Sequence, residues 1–259
     1  MLGSGTSTGV PVVGCGCAVC RSADPRNRRL RPGLRLELDQ GTAVVDTSPD
    51  FREQSLRFGI DRVDAVLYTH PHADHIHGID DLRGFALEQR RLMDVHADAA
   101  TMVRLREAFG YCFETPAGSS YPPILMAWPI HHERPVIVEG EGGALAFEPL
   151  PQIHGDIVSL GFRIGNLAYC PDVSDFPDST AERLYGLDTL IIDALQYRPH
   201  PSHLSLAQAL EWIDRLKPRQ AFLTHMHIPM DYETVLRETP GNVSPAHDGL
   251  VIEMTLNSI

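Results

Sequence analysis

Residues 65–75 read Ala65-Val66-Leu67-Tyr68-Thr69-His70-Pro71-His72-Ala73-Asp74-His75, an apolar run that opens into three imidazoles and a carboxylate. These are the ligand types that hold zinc, manganese or iron, and the apolar run reads as a buried strand delivering them to a loop at a sheet edge. Alternate residues of an extended segment point the same way, so His70 and His72 can grip one ion. Asp74 and His75, where the chain turns into a helix, then face a second. The competing reading is a surface cluster without metal, since the chain holds 13 histidines. The strand before the cluster and the spacing of the aspartate argue against it. On the residues alone, the chain reads as a metal-dependent α/β hydrolase.

The hexapeptide His70–His75 resembles the H-x-H-x-D-H signature of the metallo-β-lactamase superfamily. That resemblance implies a four-layer αββα sandwich over residues 1–259 as a single hydrolase domain, with two mixed β-sheets flanked by helices and the metals at one sheet edge. It also implies three downstream ligands: a lone His, an Asp shared by both metals, and a last His. The chain offers His154 before the strand-like segment 158–164, Asp172 at the end of Leu167-Ala168-Tyr169-Cys170-Pro171-Asp172, and His225 at the end of Gln220-Ala221-Phe222-Leu223-Thr224-His225. Taken singly, each is an ordinary loop-facing polar residue; in order with the hexapeptide they make a set.

By resemblance, His70, His72 and His154 hold the first metal, Asp74, His75 and His225 the second, and Asp172 spans both. Two cations about 3.5 to 4 Å apart would lower the pKa of a shared water toward about 7 and polarise a bound ester, the basis of a dinuclear hydrolase. Zinc and manganese both suit the donor set. Asp74 counts as catalytic as well as ligating.

What separates phosphodiesterases from other hydrolases on this scaffold is the additional chemistry, and His203 supplies a candidate. It lies in His200-Pro201-Ser202-His203-Leu204-Ser205, just before a stretch whose apolar positions Leu206, Ala209, Leu210, Ile213 and Leu216 follow helical spacing. Ser205 or Ser202 can cap that helix, which puts His203 at its entrance. An imidazole there can hydrogen-bond a phosphate oxygen or protonate a leaving alkoxide. Without the resemblance, a solvent-exposed loop histidine is the simpler reading; with it, the equivalent H-x-S/T segment of phosphodiesterase members assigns His203 a catalytic role.

A second metal signal lies near the start. Cys15, Cys17 and Cys20 in Gly14-Cys15-Gly16-Cys17-Ala18-Val19-Cys20 place three thiols within reach of one ion, with glycines relieving the tight backbone. Five cysteines in all and no secretory leader make a disulfide framework a poor reading, and three thiols this close in a reducing compartment read as zinc. Cys112 and Cys170, with apolar or aromatic neighbours, read as buried thiols.

Together with Gly3-Ser4-Gly5-Thr6-Ser7-Thr8-Gly9-Val10-Pro11, Asp46-Thr47-Ser48-Pro49-Asp50-Phe51-Arg52, Gly78-Ile79-Asp80-Asp81 and Asp248-Gly249, these motifs resemble the phosphoribosyl 1,2-cyclic phosphate phosphodiesterase group of the superfamily. The resemblance implies one structural zinc on the loop at 14–20, held by the three cysteines and a His after the last catalytic His. His227 is that candidate. The local spacing departs by one residue from the usual T-H-x-S-H, so the roles of His225 and His227 are the least firmly divided.

A chain of 259 residues with no apolar run of about 18 residues holds a sizeable core and no membrane span. With no charged-then-apolar leader, the expected compartment is the cytoplasm. The glycine-rich opening comes so soon after Met1 that a natural start upstream is left open. It lacks the Lys of a P-loop and reads as a turn near the metals. A formal net charge of −12 disfavours nucleic acid as a partner but suits a small phosphorylated substrate. The basic run Arg26-Asn27-Arg28-Arg29-Leu30-Arg31 reads equally as a solvated loop and as a phosphate or subunit contact, the latter compatible with a homodimer.

The stretch from about Met93 to Pro149 carries little signal beyond the loop Glu114–Pro123, which could shape a pocket. His131 and His132 are expected to face solvent. The expected function is hydrolysis of a small cyclic phosphate or nucleotide-like phosphodiester. The alternatives are an RNA 3′-end nuclease of the same superfamily and a non-hydrolytic zinc-binding relative.

Overall fold

A computed structural model of the chain describes residues 1–38, 41–140 and 143–254, in two compact units: Gly33–Ala146, and Met1–Pro32 with Phe147–Ile259. The first unit runs β1 (Leu34–Leu38), β2 (Gly41–Val45), α1 (Phe51–Arg57), β3 (Ala65–Leu67), α2 (Ala73–Ile76), α3 (Leu82–Gln89), β4 (Met93–Ala97), α4 (Ala99–Phe113), β5 (Leu125–Pro129) and β6 (Val136–Gly140). Its sheet has the order β1-β2-β3-β4-β5, with β1 antiparallel to β2 and the remaining pairs parallel. Every residue of β2 and β3 is buried, as expected of apolar runs in parallel strands covered on both faces. β4 instead alternates, burying Met93, Val95 and Ala97 while Asp94 and His96 are half-buried.

Helix α4 begins where the Asp98 side chain accepts from the Thr101 N–H at 2.8 Å. It breaks helical geometry at Phe109 (φ −132°, ψ 31°), just before Gly110. Gly78 follows α2 at a point of close approach: a Cβ there would sit 2.1 Å from the Ser48 carbonyl oxygen. Only glycine lets the loop after β2 and the segment after the hexapeptide meet.

The second unit is built on β7 (Gly143–His154), β8 (Ile157–Ile164), β9 (Leu167–Cys170), α5 (Asp178–Leu184), β10 (Thr189–Asp193), α6 (Leu206–Leu216), β11 (Gln220–Thr224), α7 (Tyr232–Glu238) and β12 (Val243–Pro245). The strands of this unit's sheet run in the order β12-β11-β10-β9-β8-β7; β9 to β12 pair in parallel, while β8 pairs antiparallel with both neighbours. The core of this unit gathers Leu190 and Ile192 of β10, Leu223 of β11 and Ala209, Ile213 and Leu216 of α6. Helix α6 takes the limits its apolar spacing predicts. Ser205 and Gln208 form a reciprocal capping box at its start, and Lys217 in the left-handed region, followed by Pro218, ends it.

In each unit the side chains of interest sit at the carboxyl ends of parallel strands, where an open sheet leaves room for a ligand. Asp46 and His70 follow β2 and β3; Asp172, Asp193 and His225 follow or end β9, β10 and β11. Near the start of the chain, Gly5 forms a parallel bridge with Met226, and a Cβ on Gly5 would lie 2.8 Å from the Cβ of Arg29. No helix among the described residues is long and apolar enough to cross a membrane.

Candidate metal centre

In the first unit the hexapeptide leaves β3 and turns into α2, with His70 and His75 fully buried, Asp74 buried and His72 exposed. His70 Nε2 lies 2.9 Å from His72 Nδ1, and the rings of His70 and His75 are 4.1 Å apart. Ring nitrogens that converge so closely need a proton or a cation between them. The Nδ1 of His75 is 2.7 Å from Asp46 Oδ2, and its Nε2 is 3.4 Å from Asp74 Oδ2. A carboxylate behind an imidazole fixes its tautomer and turns the far nitrogen forward, as a metal ligand requires.

Asp46 is held by its own surroundings. It has φ of 64° and no exposure, and it accepts from the Thr69 N–H at 2.9 Å and from the Thr69 hydroxyl. Burial pushes its carboxyl above the usual range, against the pull of His75 and Thr69. Sequence reading quoted this residue within a motif but gave it no role.

In the second unit Asp172 is the centre. Its Oδ1 lies 3.2 Å from His225 Nδ1, and its Oδ2 lies 3.8 Å from His154 Nε2 and 4.0 Å from His203 Nε2. The two carboxylate oxygens thus address different imidazoles, as a shared ligand must. The Ser159 hydroxyl donates to the Asp172 backbone carbonyl at 2.6 Å and fixes the turn after β9. His154 Nδ1 donates to the Ser202 carbonyl at 2.5 Å, which points its Nε2 toward Asp172. Gly155 (φ +62°) makes that approach feasible, since a Cβ there would meet Ser202 Cβ at 2.9 Å. His225 itself adopts φ of 59°, an uncommon conformation for a non-glycine residue and one that recurs at functional sites.

His203 is backed by Asp193, which sequence reading missed. Its Nδ1 is 2.7 Å from Asp193 Oδ2, and its ring stacks on that of His225 at 4.8 Å. Asp193 is fully buried and also accepts from the Val173 N–H at 3.1 Å. Burial pushes its carboxyl up to about 7, opposed first by the nearby His203. The signal was present in the sequence: an acid follows the apolar run 190–192, as Asp172 follows 167–171. His131 is exposed and His132 half-buried.

The Sγ atoms of Cys15, Cys17 and Cys20 lie within 4.8 Å of one another. The Val12 N–H points at Cys20 Sγ (3.3 Å) and the Cys20 N–H at Cys17 Sγ (3.5 Å). The second of these pulls the Cys17 thiol below its usual range. Three sulfurs, two of them facing backbone N–H groups, fit a zinc held by thiolates. The structure does not bring His227 into this group: among the described residues no His, Cys, Asp or Glu joins the three within that distance. Among the described residues its buried Nδ1 has no hydrogen-bond partner, and burial lowers its basicity.

Cys17→Ser should lose one zinc and lower the melting temperature by on the order of 5–10 °C, because a metal-closed loop contributes its binding energy to folding. Unchanged zinc content and melting in that variant would rule the cluster out as a metal site. The basic run next to it is engaged within the chain: Arg26 pairs with Asp24 and Glu233, and buried Arg29 donates to the Met230 carbonyl.

Residues 42–226 match the family model described as a beta-lactamase superfamily domain. An octanoyltransferase of Porphyromonas gingivalis (strain ATCC BAA-308 / W83) is 38% identical over 256 residues, covering 96% of this chain and 50% of that protein. The chain therefore spans about half the length of that relative. The crystal structure of a new diphosphatase from the PhnP family superposes with a TM-score of 0.89 at 40% identity, covering 98% of this chain and 96% of that one. Zinc-bound PqqB from Methylobacterium extorquens shares the fold, with a TM-score of 0.75 at 17% identity over 98% of both chains.

Proposed function

Because the chain belongs to the beta-lactamase superfamily and within it to the PhnP family, we propose that it is a metal-dependent phosphodiesterase acting on a small cyclic phosphate or nucleotide-like phosphodiester. In this reading His70, His72 and His154 hold one divalent cation, Asp74, His75 and His225 hold the other, and Asp172 serves both. Bound there, zinc or manganese would lower the pKa of a shared water and polarise the phosphoryl oxygens.

The observation that carries the choice of reaction is the Asp193–His203 pair, 2.7 Å apart, with the other ring nitrogen of His203 turned toward Asp172 at 4.0 Å. Hydrolysis forms a bond from water oxygen to phosphorus and breaks the ester bond to the leaving oxygen, which needs a proton. His203 is placed to hold that proton at Nε2, while Asp193 keeps Nδ1 engaged and the ring oriented. Asp74, whose Oδ2 lies 3.4 Å from His75 Nε2, takes part both as ligand and in handling the water's proton.

The acyl chemistry named for the Porphyromonas relative belongs to a polypeptide twice this length. Outside the cysteine cluster, the thiols here are Cys112 and Cys170, both buried. Burial pushes Cys112 up to about 12 and raises Cys170 as well, the wrong direction for an acyl-accepting nucleophile.

The deciding experiment loads the protein with zinc or manganese, counts the ions, and screens cyclic and linear phosphodiesters beside RNA 3′ ends and an octanoyl thioester. We expect about three ions per chain and turnover of a small cyclic phosphodiester. No more than one ion, or turnover confined to the thioester or the RNA, would overturn the reading.

A further inference from the structure

We propose that the Thr6 hydroxyl is a positioning group for His225: it holds the ring proton on Nε2 and so turns the bare Nδ1 toward Asp172 and the cation the two would share. This rests on the metal-dependent reading above and gives a role to the amino-terminal motif, which that reading leaves unused.

The contact is direct. Thr6 Oγ1 lies 3.3 Å from His225 Nε2, across 219 residues of chain, and the two residues are only 4% and 1% exposed. The other ring nitrogen, Nδ1, is 3.2 Å from Asp172 Oδ1. A neutral imidazole carries one proton, so the nitrogen that faces a cation must be bare and the other must donate. Thr6 Oγ1 supplies the acceptor for that donor. His154 is held by the same logic with its nitrogens exchanged, since its Nδ1 donates to the Ser202 carbonyl while Nε2 faces Asp172. Of the three consecutive hydroxyl residues Thr6, Ser7 and Thr8, Thr6 is buried and the other two are exposed.

Thr6 is placed by its backbone on both sides. The Met226 N–H, next after His225, donates to the Ser4 carbonyl at 3.1 Å, and Gly5 bridges to Met226 in parallel. The Gly5 N–H donates to the Leu30 carbonyl at 2.9 Å, and the Gly9 N–H closes a turn onto the Thr6 carbonyl at 2.8 Å. Asp248 fastens these pieces together. Its Oδ1 accepts from the Ser4 N–H at 3.0 Å and the Ser4 hydroxyl at 2.9 Å, and its Oδ2 accepts from the Leu30 N–H at 2.7 Å. The motifs Gly3–Pro11 and Asp248–Gly249, far apart in sequence and outside the metal-ligand set, thus converge beside one imidazole.

The division of labour follows. Backbone contacts fix where His225 stands, including its φ of 59°, a conformation that persists only where the surroundings over-determine it. The Thr6 hydroxyl addresses which nitrogen faces forward. Because the His225 ring stacks on that of His203 at 4.8 Å and 12°, a turned His225 disturbs the proposed acid as well as the cation.

The test titrates Thr6→Val, which keeps the shape and deletes the hydroxyl, and Thr6→Ser, which keeps the hydroxyl and deletes the methyl, with cobalt under chelator competition. Thr6→Val should hold one catalytic ion about 10 to 100-fold less tightly, the effect of removing a partner from behind a ligating histidine, and should alter the visible absorption of the bound cobalt. Thr6→Ser should restore most of that affinity and the wild-type spectrum, and the metal on the cysteine cluster should hold in both.

Unchanged affinity in Thr6→Val would overturn the proposal, as would an equal loss in Thr6→Ser, which would trace the effect to packing of the methyl group. Nitrogen-15 spectra of zinc-loaded wild-type protein labelled at histidine decide the matter without a variant: a proton on His225 Nε2 with a metal-bound Nδ1 supports the assignment, and the reverse overturns it. Wild-type protein that takes up no catalytic cation would overturn the metal-dependent reading and this inference together, whereas a loaded, active wild type with the reversed ring would overturn this inference alone.

Discussion

Asp172→Ala should, on the proposed dinuclear reading, abolish measurable turnover and strip the catalytic cations while leaving any zinc on the cysteine cluster in place. Asp172 is 1% exposed, with Oδ1 toward His225 and Oδ2 toward His154 and His203. Removing it deletes the anion that two ring systems converge on and leaves imidazoles facing one another across a buried space. Losing a hydrogen-bonded partner behind a metal ligand typically costs about 10 to 100-fold in affinity or activity. A ligand shared by two ions should cost more, roughly 10³-fold or beyond. Elemental analysis of the loaded variant and an assay on the best wild-type phosphodiester give the two readouts. Retention of both catalytic ions with turnover near wild type would remove Asp172 from the centre. Cys17→Ser provides the contrast, since it should lose the other metal first.

The parts of this molecule that were legible in its sequence are those where chemistry and periodicity coincide. The hexapeptide follows a strand because Ala65–Leu67 is apolar at every position, and that strand lies between β2 and β4 in its sheet. His154 ends β7, Asp172 follows β9 and His225 follows β11, so each expected ligand emerges from a strand end. Helix α6 was readable from both its apolar spacing and its Ser205 cap.

Asp46 and Asp193 were harder because a carboxylate that supports a histidine has no spacing rule linking the two. The pairs Asp46–His75 and Asp193–His203 are 29 and 10 residues apart and meet only through sheet register. The segment from Met93 to Pro149 was unreadable for another reason. β4 mixes polar and apolar positions, α4 breaks at Phe109, and β5 leaves Met126 and Trp128 exposed. Edge strands and kinked helices are specified by neighbours more than by local pattern.

His203→Ala should keep both catalytic metals and lower turnover by about 10² to 10⁴, the range for a positioned general acid. The ring lies 4.0 Å from Asp172 Oδ2 but is held by Asp193 at 2.7 Å, so on the proposed reading its deletion removes a proton donor and no metal ligand. The size of the loss should depend on the leaving group. A ribose alkoxide needs the proton and should feel the full effect; a p-nitrophenolate departs without one, so a p-nitrophenyl phosphodiester should feel much less. Asp193→Asn tests the support behind the ring. An amide of the same shape no longer holds the imidazole by charge and can present an N–H to Nδ1, which favours the wrong tautomer, and a loss of about 10 to 100-fold with the same dependence on leaving group is expected. Equal losses on alkoxide and phenolate substrates would make His203 a phosphate-binding residue, and loss of metal in His203→Ala would place it among the ligands.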